Sequence, residues 1–196
     1  RRLVHRQRGR VDAVLTGIGT VLSDDPLLTA RGVRRRRTAR RVVVDPELRL
    51  PEGAALLKSL DQAPLTIACR DDAGTDNPRA TELRDAGVDV LALPTCNGRL
   101  PLVDLMVHLS GVHNCSTVLV EAGPGLLSSL LREQLVNEAM VFVAPMLLGD
   151  SDGIPVLDGF APEVIRDAIG LRLRSMHRRD DDVLLHYGVA STPSTR

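Results

Sequence analysis

Residues 118–149, VLVEAGPGLLSSLLREQLVNEAMVFVAPMLLG, constrain the fold more than any other stretch of the chain. Val118 to Val120 is a short apolar, β-branched run, Glu121 stands at its end, and Gly123-Pro124-Gly125 imposes a tight turn. Leu126, Leu127, Leu130, Leu131 and Leu135 then recur at helical spacing, with Ser128, Ser129, Arg132 and Glu133 on the wetter side. Met140 to Val143 predicts the next strand. Such a strand, glycine turn, helix and strand is an α/β unit. Gly125 falls near a helix N-terminus, where free backbone N–H groups and the positive end of the helix dipole make a seat for a phosphate or pyrophosphate. Glu121, one step upstream, points to a second ligand.

The rest of the chain continues the alternation. RRLVHRQRGR at the N-terminus predicts a helix running into a loop at Gly9, and Ala13 to Leu15 a short strand. Gly17 and Gly19 follow with a turn and a brief helical piece that stops at Pro26. Strands are expected at 42–44, 65–69 and 88–91. Helices are expected over Pro78 to Ala86 and through Leu102, Leu105, Met106 and Leu109. Beyond residue 143 the pattern turns strand-rich, at Ile154 to Leu157, Leu171 to Met176 and Val183 to His186, with a hairpin turn at Arg179 to Asp182. The expected architecture is a mixed, mainly parallel sheet flanked by helices, to which a C-terminal antiparallel hairpin adds edge strands. One domain is expected over residues 1–190, with 191–196 as a frayed, disordered tail.

Charge and composition exclude several functions. Lys+Arg and Asp+Glu both total 25, so any anion must be held by local clusters rather than by net charge. Arg34 to Arg37, Arg40 and Arg41 read as a solvated loop able to attract a phosphorylated ligand, and Arg6, Arg8 and Arg10 crowd before the first strand. With Phe142, Phe160 and Tyr187 as the aromatic residues, there is no base-stacking surface for nucleic acid. Cys69, Cys96 and Cys115 form no CxxC pair and read as reduced structural thiols. His5, His108, His113, His177 and His186 lack ligand spacing, so no metal is expected, and no serine sits in a GxSxG elbow. Asp24-Asp25-Pro26 is turn chemistry rather than a proton-sharing dyad. No apolar run approaches the ~18 residues of a membrane span. With no signal peptide legible, the expected address is cytoplasmic. Gly123, Gly125 and Ser128 match a dinucleotide fingerprint only loosely, because the next strand runs into Ala144-Pro145 rather than an acidic residue.

Three separated pieces carry a sharper signal: DAVLTGIGTVLSDDPLLTAR, RRVVVDPELRLP and the 118–149 stretch. Their combination of GTVLxDDPxLTxR, VExGPxL and APxLLG resembles the reductase half of the bifunctional riboflavin-biosynthesis deaminase/reductase, from about Arg8 to about Leu185. The resemblance implies a dihydrofolate-reductase-like fold and hydride transfer from NADPH to C1′ of 5-amino-6-(5-phosphoribosylamino)uracil. It places that substrate against Arg8, Leu28, Arg31 and Glu121. Asp24 and Glu121 become the implied catalytic residues. The cofactor would meet Thr20 and Asp24 near its nicotinamide and Gly123, Pro124, Gly125, Leu126, Leu127, Ser128 and Ser129 at its pyrophosphate. Pro46 takes a further cofactor-side position, and Arg70, at the end of the third expected strand, is assigned to the cofactor's 2′-phosphate.

The chain departs from the family pattern at Gly125, where Thr is usual, at Met146, where Lys is usual, and at Pro46, where Ser often stands. The family's first reductase strand and its zinc deaminase domain would precede Arg1, so deamination is not expected of this chain. A homodimer is implied, with neither nucleic acid nor membrane as partner. Two other readings stay open: a reductase of this fold with another substrate, such as a pterin, and a catalytically silent scaffold that keeps the fold. A generic nucleotide-binding α/β domain would leave DDPxLTxR unexplained.

Overall fold

Short apolar runs in the first two-thirds of the chain become parallel strands. In the computed structural model these are β1 (Ala13–Gly17), β2 (Arg40–Val44), β3 (Leu65–Arg70), β4 (Asp89–Leu93) and β5 (Val118–Val120), in the sheet order β4-β3-β2-β1-β5. Leu15 of β1 is in register with Val42 on one side and Val120 on the other. The three central strands are buried along most of their length. A strand covered on both faces has no polar side to show, which is why VVV and LTIAC read as continuous apolar runs. The structure describes residues 1–75, 77–95, 98–150, 152–159 and 162–190. The expectations for Cys96, Phe160 and the 191–196 tail lie outside the described residues.

The chain divides into two compact units, Arg1–Leu126 and Leu127–Arg196. In the first, the parallel sheet carries α1 (Arg2–Arg8), α2 (Ile18–Asp24), α3 (Ala55–Lys58), α4 (Asp71–Gly74), α5 (Pro78–Asp85) and α6 (Leu102–Gly111). Helix α5 starts where the Asn77 side chain accepts the Arg79 N–H at 2.9 Å, with Pro78 supplying a pre-set φ at the first helical position. Helix α6 buries Leu102, Leu105 and Leu109 and leaves Val103 and Val107 exposed, as its spacing requires. Val14, Ile18, Val43, Leu50, Leu56, Ile67 and Leu83 belong to the principal core cluster. Each such side chain contributes roughly 1.5–3 kcal/mol on burial.

One arginine breaks the expected pattern. Arg41 is not solvated: it is fully buried on β2, and its guanidinium donates to Ser59 Oγ at 2.7 Å, Ser59 O at 3.0 Å and Ala63 O at 2.5 Å. Those bonds satisfy a turn that would otherwise bury bare carbonyls. Two short helices, α3 and α4, were not legible; the second occupies what reads as a polar turn after Arg70.

In the C-terminal unit, β6 (Glu138–Val143), β7 (Leu171–Arg179) and β8 (Asp182–Val189) form an antiparallel sheet in the order β6-β8-β7. The hairpin therefore does not add edge strands to the parallel sheet as expected. It pairs with β6 instead, matching Val141 with Leu185, Phe142 with Leu184 and Val143 with Val183. Such apolar cross-strand pairs are what stabilise the arrangement. A register shift between Leu173 and Ser175 accommodates Arg174 as an extra residue, so Leu173 and Met176 oppose Tyr187 and Leu185. Alternate residues of β8 share a face, so the bulge keeps Leu171, Leu173 and Met176 on one side of the sheet.

Two further segments differ from their sequence pattern. Residues 154–157 form irregular backbone with a bend at 156–157 rather than a strand, as suits a segment whose Pro155 has no N–H for a ladder. Helix α7 (Pro124–Arg132) stops short of Leu135, because Gln134 adopts a left-handed φ of 56° and the Leu135 N–H closes back on Leu130 O at 2.9 Å.

Candidate functional site

In a parallel sheet every strand ends on the same edge. At that edge β1 delivers Ile18 to Asp24, β2 delivers Asp45-Pro46, β3 delivers Arg70, and β5 delivers Glu121 and the start of α7. The strand order runs outward from β1 through β2, β3 and β4, and then returns to place β5 on the other side of β1. The boundary between the paired strands β1 and β5 is thus a topological switch point, where connections leave in opposite directions.

The groups lining that switch point are fixed from both sides. The Glu121 N–H donates to Leu15 O at 2.9 Å, and the fully buried Thr16 hydroxyl donates to Glu121 O at 2.7 Å. With its backbone held, Glu121 turns its carboxylate to Arg8 of α1. Arg8 Nε donates to Oε1 at 2.7 Å and Nη2 to Oε2 at 2.6 Å, a bidentate pair with the two side chains 12% and 23% exposed. Planar, charge-assisted and partly desolvated, this is the strong form of an ion pair. At the lower end of both strands, Asp12 accepts hydrogen bonds from the backbone and hydroxyl groups of Ser116 and Thr117, and also pairs with Arg37. It clamps the start of β5 to the start of β1.

Helix α1 also holds the segment after Pro26. Arg8 Nη1 donates to Thr29 O at 3.3 Å, while His5 Nδ1 lies 3.3 Å from Thr29 O and accepts the Arg31 N–H at 3.3 Å. Leu28 is buried with a left-handed φ of 55°, and Arg31 is exposed. Arg8, Leu28, Arg31 and Glu121, far apart in sequence, are therefore gathered around α1 and the β1/β5 edge. The remaining expected residues spread along the same edge. Thr20 lies on α2 with the exposed Asp24 at its end, where Asp24 accepts the Ser23 hydroxyl at 2.7 Å. The Arg70 N–H donates to Pro46 O at 3.1 Å, joining those two positions, and the Arg70 guanidinium is paired with Asp72 at 3.2 Å.

The tight turn expected at Gly123-Pro124-Gly125 is not formed: the chain leaves β5 through Glu121 to Gly123, and Pro124 and Gly125 are already the first residues of α7, Pro124 suiting a first helical position with its pre-set φ. A Cβ at Gly123 or Gly125 would meet nothing within 4 Å, so a ligand can approach this backbone closely. Leu126 lies within 3.5 Å of where a Gly17 Cβ would be. Further along α7, Leu127 is half-buried and Ser129 O accepts the Glu133 N–H at 3.1 Å. Ser128 is fully buried, and its hydroxyl accepts the Asp158 N–H at 2.9 Å within the C-terminal unit.

Two features of this region escaped sequence reasoning. Asp45 reads as a strand-closing turn residue but is completely buried; its Oδ2 accepts the Leu50 N–H at 2.9 Å while Oδ1 has no hydrogen-bond partner. Burial pushes its pKa above the ordinary carboxylate value, against the pull of backbone N–H donors and Arg49. The second is a cavity of about 550 Å³ lined by Arg2, Arg6, Arg10 and Arg34 to Arg36, which the notion of separate solvated runs had kept apart. The two runs meet because the Arg36 N–H donates to the buried Gly9 O at 2.9 Å.

A parallel five-stranded sheet flanked by helices, with an arginine–carboxylate pair and a helix N-terminus at its switch point, defines the class as an α/β domain. The chain belongs to the RibD C-terminal domain family, whose model matches residues 1–185. It is 31% identical over 188 residues to the riboflavin biosynthesis protein RibD of Actinobacillus pleuropneumoniae, covering 96% of this chain and 49% of that protein. To the 2,5-diamino-6-ribosylamino-4(3H)-pyrimidinone 5′-phosphate reductase of Methanothermobacter thermautotrophicus it is 34% identical over 190 residues, covering 96% of this chain and 84% of that one. The structure of Acinetobacter baumannii RibD superposes with a TM-score of 0.82 at 29% identity, over 96% of this chain and 50% of that one. The chain thus spans about half the length of the RibD proteins it matches.

Proposed function

We propose that residues 1–190 act as a reductase domain of riboflavin biosynthesis, reducing 5-amino-6-(5-phosphoribosylamino)uracil to its ribitylamino product. The observation that carries this reading is the Arg8–Glu121 pair held beside Leu28 and Arg31 at the β1/β5 switch point. A ligand with a phosphate at one end and a hydrogen-bonding heterocycle at the other suits these groups. The phosphate draws Arg8 and Arg31, and the ring's N–H groups replace Arg8 as donors to Glu121. Each exchange trades one charge-assisted bond for another, so entry of the ligand leaves no buried charge bare. The Arg2, Arg6, Arg10 and Arg34–Arg36 cavity adds a positive field on the α1 side that attracts a phosphorylated substrate from solution.

The residues present suit a nicotinamide cofactor: an approachable backbone at Gly123 and Gly125 on a helix N-terminus is the chemistry a pyrophosphate needs. When bound, NADPH supplies the hydride that forms the new C1′–H bond, while the C1′–O bond of the ribose breaks and the ring oxygen takes a proton. Thr20 and Asp24 are assigned to the nicotinamide end, Gly123, Pro124, Gly125 and Leu126 to the pyrophosphate, and Pro46 with Arg70 to the far end, where Arg70 is the candidate for the 2′-phosphate. Glu121 orients the pyrimidine, so that donor and acceptor carbons meet without a covalent enzyme intermediate.

The working form is a homodimer. Leu171, Leu173, Met176, Val141 and Val143 share one face of the antiparallel sheet and are all exposed, an apolar surface that a second copy would cover. A zinc deaminase domain precedes this one in the parent protein, which is cytoplasmic. Among the described residues no helix is long and apolar enough to cross a membrane.

Incubating the chain with NADPH and the phosphoribosylaminouracil, and weighing the product, tests the reading. A product heavier by two hydrogens, formed at the rate of NADPH loss, is expected. Glu121→Gln should lower kcat/KM by about tenfold to a hundredfold, the cost of weakening a charged hydrogen bond. A catalytically silent scaffold is the second reading, favoured by Gly125 and Met146 in place of a hydroxyl and an ammonium. It predicts NADPH binding without turnover.

A further inference from the structure

The opposite edge of the parallel sheet, where strands begin rather than end, carries a cluster that the reductase reading leaves unused. Asp89 opens β4, His108 sits in the last turn of α6, and His113 lies in the connection to β5. Each offers one ligand atom, and the three atoms all lie within 4.8 Å of one another. His113 Nε2 is 2.8 Å from Asp89 Oδ2, and the two imidazole rings meet edge to face at 5.1 Å. His108 Nε2 is buried and has no hydrogen-bond partner. An orphaned ring nitrogen in such a cluster costs free energy unless something binds it.

We propose that Asp89, His108 and His113 form a binding site for a divalent transition-metal ion, with Zn²⁺ the best match. Two imidazoles and a carboxylate are the borderline donor set this ion takes, and three protein ligands leave a fourth position for water. The geometry is close to what is needed. Ligand atoms ~2.0–2.1 Å from a tetrahedral ion stand about 3.3 Å apart, so the Asp89–His113 contact opens by roughly half an ångström and His108 closes in.

The surroundings supply support and one opposing charge. Thr66 Oγ1 donates to Asp89 Oδ2 at 3.0 Å and orients the carboxylate, as partners of metal ligands do. His108 stands in the last turn of α6, where the negative end of the helix dipole favours a cation. Arg40 Nη1 lies 3.6 Å from the same Asp89 oxygen and opposes a cation, which makes this a site of moderate rather than picomolar affinity. An ion here would tie the start of β4 to the end of α6 and to the segment leading into β5. It would brace the sheet from the side away from Glu121.

Calorimetric titration of the untagged, chelator-stripped chain with Zn²⁺ tests the site, with Co²⁺ as a spectroscopic stand-in. The expected result is saturable binding of one ion, a visible Co²⁺ band of tetrahedral type and a raised Tm. His113→Ala and His108→Gln should each weaken binding at least tenfold while circular dichroism and Co²⁺-free folding stay unchanged; His177→Ala, at an exposed histidine outside the cluster, should change nothing. Absence of saturable binding, or equal affinity in the His108→Gln/His113→Ala double variant, would overturn the proposal. Because binding is read without substrate, its failure is distinct from a failure of the reductase reading.

Discussion

The pairing of Arg8 with Glu121 is the residue-scale feature on which the site depends. Removing one partner strands the other, so Arg8→Ala and Glu121→Ala should each destabilise the fold by about 1–3 kcal/mol. The double variant should cost less than the sum, a coupling that denaturant unfolding of all four proteins measures. Asp45 gives a pH prediction. Burial raises its native pKa, so the folded chain holds that proton more tightly than the unfolded one, whose ordinary value is 3.8. Stability from the proton is complete below that ordinary value and is lost as pH rises through the native pKa. Asp45→Asn removes the loss, so its Tm relative to the parent chain should climb from acidic to neutral pH. Of these residues, Glu121 was legible because a carboxylate ending a strand beside a glycine turn is a pattern. The bond to Arg8 was not, since 113 residues separate them and only the β1/β5 crossover brings them together.

Strands and long helices were read from periodicity because burial on two faces or one stripe leaves a regular imprint. Helices α3 and α4, of four residues each, are too short to carry a period, and they are held by packing instead. Gly74 shows how tightly: a Cβ there would fall 2.6 Å from the Ala92 Cβ and 2.9 Å from the Cys69 sulfur, with the Ala92 backbone at 3.3 Å. Gly74→Ala should therefore destabilise the chain by about 1–3 kcal/mol through overpacking of α4 on β3 and β4, measurable as a lowered urea midpoint at unchanged m. Cys69 in that contact has its pKa raised to about 11 by burial. It should resist alkylation at mildly alkaline pH until the chain unfolds. The separate antiparallel sheet was misplaced for a different reason: a hairpin's sequence fixes its own pairing but not the neighbour it joins, and β6 proved the better partner.

At the scale of the whole molecule, charge and apolar surface carry opposite assignments. The arginines of α1 and of the 34–36 loop converge on one cavity although the chain's net charge is zero, a local field that composition could not reveal. If that field steers substrate, kcat/KM should fall as salt rises, and Arg34, Arg35 and Arg36 changed together to Ser should lower kcat/KM and flatten the salt dependence, with kcat kept. The exposed apolar face of the antiparallel sheet should pair two copies, so Leu173→Asp with Met176→Asp should convert a dimer to a monomer by light scattering. Steering and pairing both matter only if the β1/β5 switch point, as proposed, supports hydride transfer to a phosphorylated sugar. Isotope transfer tests it most directly: the chain is given NADPH deuterated at the nicotinamide C4 together with the phosphoribosylaminouracil, and the product is examined by NMR. Deuterium is expected at C1′ of the ribityl product, with greatly slowed labelling in Glu121→Gln. NADPH that binds but is never consumed, or a product without label at C1′, would contradict it.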